Sequence, residues 1–157
     1  VEEIARLHVD QWDAKERIID WSKTKNLQPH AVPVPLLAAE LIESIKPNEY
    51  GWFFPSAKDP SKPVSHGTLY SFVWRQRDRG VIPYATNRDL RRTFKTLAGK
   101  AGVPKEIRDR LQNHALQDVS SKHYDRWHYM VEKRAGMAKW DKFVRAMLAK
   151  KRLKAAA

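Results

Sequence analysis

The segment TNRDLRRTFKTLAGKAG, residues 86–102, allows little besides an amphipathic helix docked along one side on a core. Leu90, Phe94, Leu97 and Ala101 recur at helical spacing and so share one face. Thr86 and Asp89 have capping-box spacing at its start, and Gly102 supplies the residue that commonly ends a helix. Opposite the apolar face stand Arg88, Arg91, Arg92 and Lys95. Cations in the first turns oppose the helix dipole, at about 0.3–1 kcal/mol each, unless negative charge answers them. Asp89 offsets part of that repulsion. A basic face can simply be solvated, but clustering where backbone N–H groups also point outward is how a phosphate site is built. The segment therefore predicts both a core and an anionic partner.

The rest of the chain divides around it. VEEIARL reads as an amphipathic helix with Ile4 and Leu7 on one face. RIIDWS (17–22) and HAVPVP (30–35) are β-prone runs joined by a basic hairpin loop, and Pro33 confines the second strand to an edge. LLAAELIESIK (36–46) is a good helix former that Pro47 ends. PNEYGWFFPSAKDPSKPVS reads as a loop around a brief extended GWFF. Ser65 is a suitable N-cap for a helix to Arg79, with Leu69, Phe72 and Val73 inward and Gly80 stopping it. After a short helix, PKEIRDRLQNH, comes the polar stretch ALQDVSSKHYDRW. A last helix starts near Tyr129, with Met137, Trp140, Val144, Met147 and Leu148 on one side. The expected fold is mainly α with a small antiparallel β-sheet, one domain over residues 1–157.

The 157 residues are 42% hydrophobic and include six tryptophans, enough for a single buried core. Thirty basic against 18 acidic side chains give a net charge of +12, which favours a polyanion. Nucleic acid leads, with an anionic membrane surface second. The most apolar run, AVPVPLLAAELI, is broken by Pro33 and Pro35 and is too short to span a bilayer, and nothing resembles a signal peptide. With no cysteine there is no disulfide or thiolate metal site, which fits a reducing, cytoplasmic setting. The six histidines show no tight metal-binding spacing, so neither metal nor other cofactor is expected.

The initial VEEIARL, the SKTK hairpin, RDLRRTF and NHALQDVSSKHYDR occur in an order that resembles the tyrosine recombinase (phage integrase) family, over nearly the whole chain. The catalytic domain of that family carries an arginine in an R-x-x-E-I-x-x-L helix, a hairpin lysine, an H-x-x-R motif opening a helix, a G-H pair and, shortly after, a tyrosine. Glu3, Ile4 and Leu7 match the first motif, so its arginine would immediately precede Val1. The hairpin lysine falls on Lys23, with Lys25 as the substitute. Arg91 matches the arginine of the second motif, while Arg88 occupies the usual histidine position. His114 matches the third, with Asn113 in place of glycine. Tyr124, in the YDR context, is the nucleophile by this resemblance, one residue later than the commonest spacing, and Tyr129 is the fallback.

The resemblance implies site-specific cleavage and rejoining of double-stranded DNA through a 3′-phosphotyrosyl link, in two nucleophilic steps that need neither ATP nor metal. Arg91 and Arg88, with the absent arginine, would hold the non-bridging oxygens, His114 would donate a further hydrogen bond, and Lys23 would protonate the departing 5′ oxygen. A guanidinium cannot serve as general base, so Arg88 leaves the acceptor of the Tyr124 proton open. Arg92, Lys95, Lys25 and Arg75, with Arg77 and Arg79, would contact phosphates. The family further implies a bacterial or phage source, a nucleoid-associated location and a tetramer of protomers on DNA for the full-length protein, with the C-terminal helix packing in cis or in trans. On this alignment the chain is an N-terminally truncated catalytic domain, lacking the DNA-clamping domain and the first arginine, and is expected to cleave weakly or not at all. Two rivals remain: a non-catalytic helix-turn-helix module using PKEIRDRLQNH, and a type IB topoisomerase sharing the same chemistry.

Overall fold

Residues 2–22, 24, 29–114 and 129–155 are described by a computed structural model, residues 152–155 by their backbone alone. The expected fold class holds: helices dominate, and the one sheet among the described residues is small, three-stranded and antiparallel. A short helix α1 (Glu2–Ala5) leads through a 3₁₀ turn (Val9–Gln11) to strands β1 (Trp12–Asp13), β2 (Ile18–Trp21) and β3 (His30–Pro33). Then come helices α2 (Leu36–Ser44), α3 (His66–Asp78), α4 (Asn87–Lys100), α5 (Lys105–Leu111) and α6 (Met130–Ala155).

The sheet order is β1-β2-β3, so β3 lies at an edge, as the missing N–H of Pro33 requires. Ile19 pairs with Val32 and Trp21 with His30, which gives the hairpin its register. The third strand, β1, pairs Trp12 with Ile19. At two residues it is too short to show any alternation in the sequence. Arg17, in the left-handed region at φ 51°, closes the turn between β1 and β2.

Two apolar clusters hold the elements together. Leu7, Ile19, Trp21 and Phe53 form one beneath the sheet. Ala98, Val103, Ile107 and Leu111 form the other, where α4 and α5 meet α6, with Phe94, Met137 and Trp140 packed against it. Val32 touches both, so the edge strand is the seam between them. Polar side chains pin α6 across the same seam. Buried Lys133 donates to the carbonyl of Ala31 at 3.0 Å, and Asp141 accepts from the backbone N–H of Leu37 at 2.8 Å, satisfying a donor at the start of α2.

Several expected inward residues face water instead. Ala5 on α1 and Leu7 just beyond it are buried, while Ile4 is exposed. Leu90 is 63% exposed, because the first turns of α4 extend past α5; the covered part of that face is Phe94, Leu97 and Ala98. Phe72 is exposed on α3, since at about 100° per residue it falls well to one side of the strip formed by Leu69, Val73 and Gln76. Met147 and Leu148 are exposed because the contacts of α6 with the core are made by its earlier turns.

Gly136 marks the closest approach of α6 to α5. A Cβ built there would lie 3.1 Å from both Ile107 Cγ2 and Val103 Cγ1. Gly136→Leu should therefore overpack this contact and lower the unfolding free energy by about 1–3 kcal/mol, read from urea denaturation.

Candidate functional site

The start of α4 is built as its sequence predicts. The Asp89 carboxylate accepts from the Thr86 backbone N–H at 2.9 Å and from its hydroxyl at 2.7 Å, and these bonds hold the carboxyl below the usual carboxylate range. Arg92 pairs with the same carboxylate at 3.3 Å. Part of the negative charge that the helix requires is thus internal.

A second carboxylate, Asp109 of α5, supplies more. Its oxygens lie 2.6 Å from Lys95 Nζ, 3.2 Å from Lys105 Nζ and 3.2 Å from His114 Nδ1. The Lys95 hydrogen bond, helped by those from His114 and Lys105, outweighs burial and drives the Asp109 carboxyl far below its ordinary value. An ionised carboxylate only accepts, so Nδ1 of His114 carries the proton in this contact, and Nε2 is the ring nitrogen left for an incoming group. The His114 backbone N–H also donates to the Asp109 carbonyl, at 2.9 Å.

Arg91 reaches the same turn from α4. Its Nη2 donates to the carbonyl of Gln112, and the Gln112 side-chain amide donates back to the Arg91 carbonyl at 2.8 Å. Asn113, at φ 51°, turns the chain there, and its Nδ2 donates at 3.0 Å to the hydroxyl of buried Thr24 in the β2–β3 connection. Residues 109–114 therefore collect Arg91, Lys95, His114 and the hairpin connection at the end of one short helix.

Beside this turn lies an open groove of about 500 Å³, bounded by α1, the hairpin, α3, α4 and α6, with Arg91, Leu90, Trp21, His30 and Asn113 in its lining. His30 stacks on Trp21, ring centroids 6.2 Å apart, and bonds the Leu111 carbonyl at 3.3 Å through Nε2. Burial, with the Lys133 charge behind it, pushes the His30 pKa down, so the ring is neutral. Among the described residues, three buried side-chain polar atoms find no hydrogen-bond partner: Trp21 Nε1, Asn87 Nδ2 and Gln112 Oε1. All three belong to residues that line the groove.

Among the expected site residues, Arg91 and His114 are both anchored at the end of α5, Arg91 on Gln112 and His114 on Asp109. Tyr124, Lys23 and Lys25 lie outside the described residues. Arg88 is exposed and makes no ion pair or hydrogen bond among the described residues, whereas Arg92 and Lys95 are each paired to an aspartate. Arg75 stands on α3, its Nη1 3.4 Å from Ser71 Oγ, and α3 gives only Leu69 to the groove. Tyr129, half-buried, packs against the Ala98–Leu111 cluster with the Arg110 guanidinium 3.4 Å from its ring centroid. Asp109, Thr24 and His30 were not singled out from the sequence. Only Asp109 left a trace there, four residues after Lys105.

No helix among the described residues is long and apolar enough to cross a membrane. Compared with known proteins, the chain is 26% identical over 144 residues to the prophage integrase IntA of Escherichia coli (strain K12), a match covering 90% of this chain and 34% of that protein. The chain thus spans about a third of the length of that relative. No family model and no solved structure matches. The similarity establishes a distant, integrase-like relationship.

Because the Asp109 carboxyl titrates lower folded than unfolded, its stabilisation is complete above the unfolded value and is lost as the pH falls toward the folded one. Asp109→Asn should cost about 2 kcal/mol of stability at neutral pH. In urea unfolding, the gap to wild type should stay constant from neutral pH to about pH 5 and narrow below about pH 4.

Proposed function

We propose that the chain is catalytic-domain sequence of a tyrosine recombinase, and that it breaks and rejoins DNA strands at specific sites through a 3′-phosphotyrosyl intermediate. The observation that carries this reading is the α5 turn, where Gln112 holds Arg91, Asp109 holds His114 and Asn113 holds Thr24 of the hairpin. The second and third motifs of the resemblance and the hairpin thereby converge from distant parts of the chain. Similarity to a prophage integrase along 90% of the chain supports the same reading.

In this mechanism the Arg91 guanidinium and His114 Nε2 stabilise the charge that gathers on the non-bridging phosphate oxygens. Asp109 is a positioning residue, fixing the tautomer of His114. Lys23 or Lys25, which flank Thr24 in the sequence, protonates the leaving 5′ oxygen, while Tyr124 attacks the phosphorus and is displaced when a 5′-hydroxyl returns. Arg88, exposed and without a partner among the described residues, adds a phosphate contact. The partners are double-stranded DNA and other protomers, four on a synapse, in a bacterial or phage setting. A helix-turn-helix module is the weaker reading, because α5 turns its arginines inward: Arg108 donates to the Val103 and Lys95 carbonyls, and Arg110 pairs with Glu106.

The test uses the polypeptide that carries these residues and nicked duplexes tiled across the DNA flanking its gene. A denaturation-resistant protein–DNA adduct is expected, lost in Tyr124→Phe and reduced about 100-fold or more in Arg91→Ala. Intact duplex binding with no adduct would return the protein to the non-catalytic class, and an adduct that survives Tyr124→Phe would remove Tyr124 as nucleophile.

A further inference from the structure

Helix α3 buries no side chain, and its large rings stand in water. Tyr70 is 57% exposed, Trp74 51%, and Tyr84, in the segment beyond the helix, 79%. Leu69, Val73 and Gln76 form the half-buried strip of α3, and Tyr70, Trp74 and Arg77 share the strip beside it. Arg77 links the rings: its guanidinium carbon lies 5.8 Å from the Trp74 centroid and 5.0 Å from that of Tyr84. Asp78, 3.4 Å from Arg77, is the only acid between His66 and Tyr84, and Arg75 is exposed on the flank next to Trp74, its Nη1 3.4 Å from Ser71 Oγ.

We propose that this face is a stacking platform for unpaired nucleotides, with bases on Trp74 and Tyr84 and a phosphate on Arg75, which flanks Trp74. Two features select that partner. The rings are flanked by Arg75 and Arg77 on a chain of net charge +12, which matches a polyanion better than the apolar heart of a protein interface. The rings offer flat faces, and only bases released from their own stack are free to meet them. Arg77 holds both rings in place beforehand, so little side-chain freedom is lost on binding. The inference goes beyond strand cleavage and is independent of it, since neither Arg91 nor Tyr124 takes part.

Fluorescence anisotropy tests it with a labelled oligothymidylate, an abasic oligomer of equal length, and the corresponding duplex. The oligothymidylate should bind several-fold tighter than the abasic strand. Trp74→Ala and Tyr84→Ala should each weaken it about 5- to 100-fold without changing abasic binding, and Trp74→Phe should keep most of the affinity. Both positions are exposed, and circular dichroism with thermal unfolding verifies that the variants fold. Equal affinity for the base-bearing and abasic strands, or variants that bind both as wild type does, would overturn the proposal. So would sedimentation showing that Trp74→Ala dissociates a self-associated form, which would assign the face to a protein partner. No adduct is measured, so failure of the cleavage reading leaves these outcomes unaffected.

Discussion

The carboxylate of Asp109 is the contact on which the arrangement around α4 and α5 depends. One side chain, mostly withdrawn from water, accepts from Lys95 on α4, Lys105 at the start of its own helix and His114 just past its end. Helix α5 has only seven residues, too few to persist through its own hydrogen bonds. Its apolar residues Ile107 and Leu111 fix it to the core, and Asp109 fixes its rotation about that contact. The same three bonds that stabilise the fold orient the imidazole, so local stability and site geometry are one problem here.

Lys133 performs the matching task from α6. Burial drives its pKa down, with the nearby Arg110 charge adding to the effect, yet its ammonium bonds the carbonyl of Ala31 on the edge strand. Edge strands expose unpaired backbone groups, and this bond satisfies one from the side that no fourth strand covers. It also brings a charge close to His30, which lines the groove. The neutral histidine and the buried lysine are therefore coupled: protonating the ring would set a second cation in a poorly solvated space.

The sequence was most legible where structure is local. Ser65, Thr86 with Asp89, Gly80, Gly102 and Pro33 each act within a few residues, and each sits where its chemistry predicts. Periodicity gave the apolar faces of α3, α4 and α6 but not how far each is covered. Leu90 and Met147 keep the right spacing but stay exposed, Leu90 on the wall of an open groove and Met147 beyond the turns of α6 that meet the core, while Phe72 falls to one side of its strip. The contacts that build the site were illegible for a related reason. His30 meets Leu111 across 81 residues, Asn113 meets Thr24 across 89, and Lys133 meets Ala31 across 102, and no spacing rule connects such pairs.

The charges near the α5 turn are sorted in a way that bears on what the site can do. Arg92 and Lys95 are answered by carboxylates, which cancel much of their field. Arg91 is held instead by the backbone carbonyl of Gln112, a neutral acceptor. Such a partner fixes the guanidinium without neutralising it, and most of its five N–H donors have no partner among the described residues. Arg88, near the N-terminus of the same helix, has no partner among the described residues, so the dipole and two guanidinium charges add at that end of α4. Held cations cost little reorganisation when an anion arrives, whereas cations already paired must first be released. Among the described residues, then, Arg88 and Arg91 differ from Arg92 and Lys95 in having no carboxylate partner, and the paired cations contribute to holding α4 against α5.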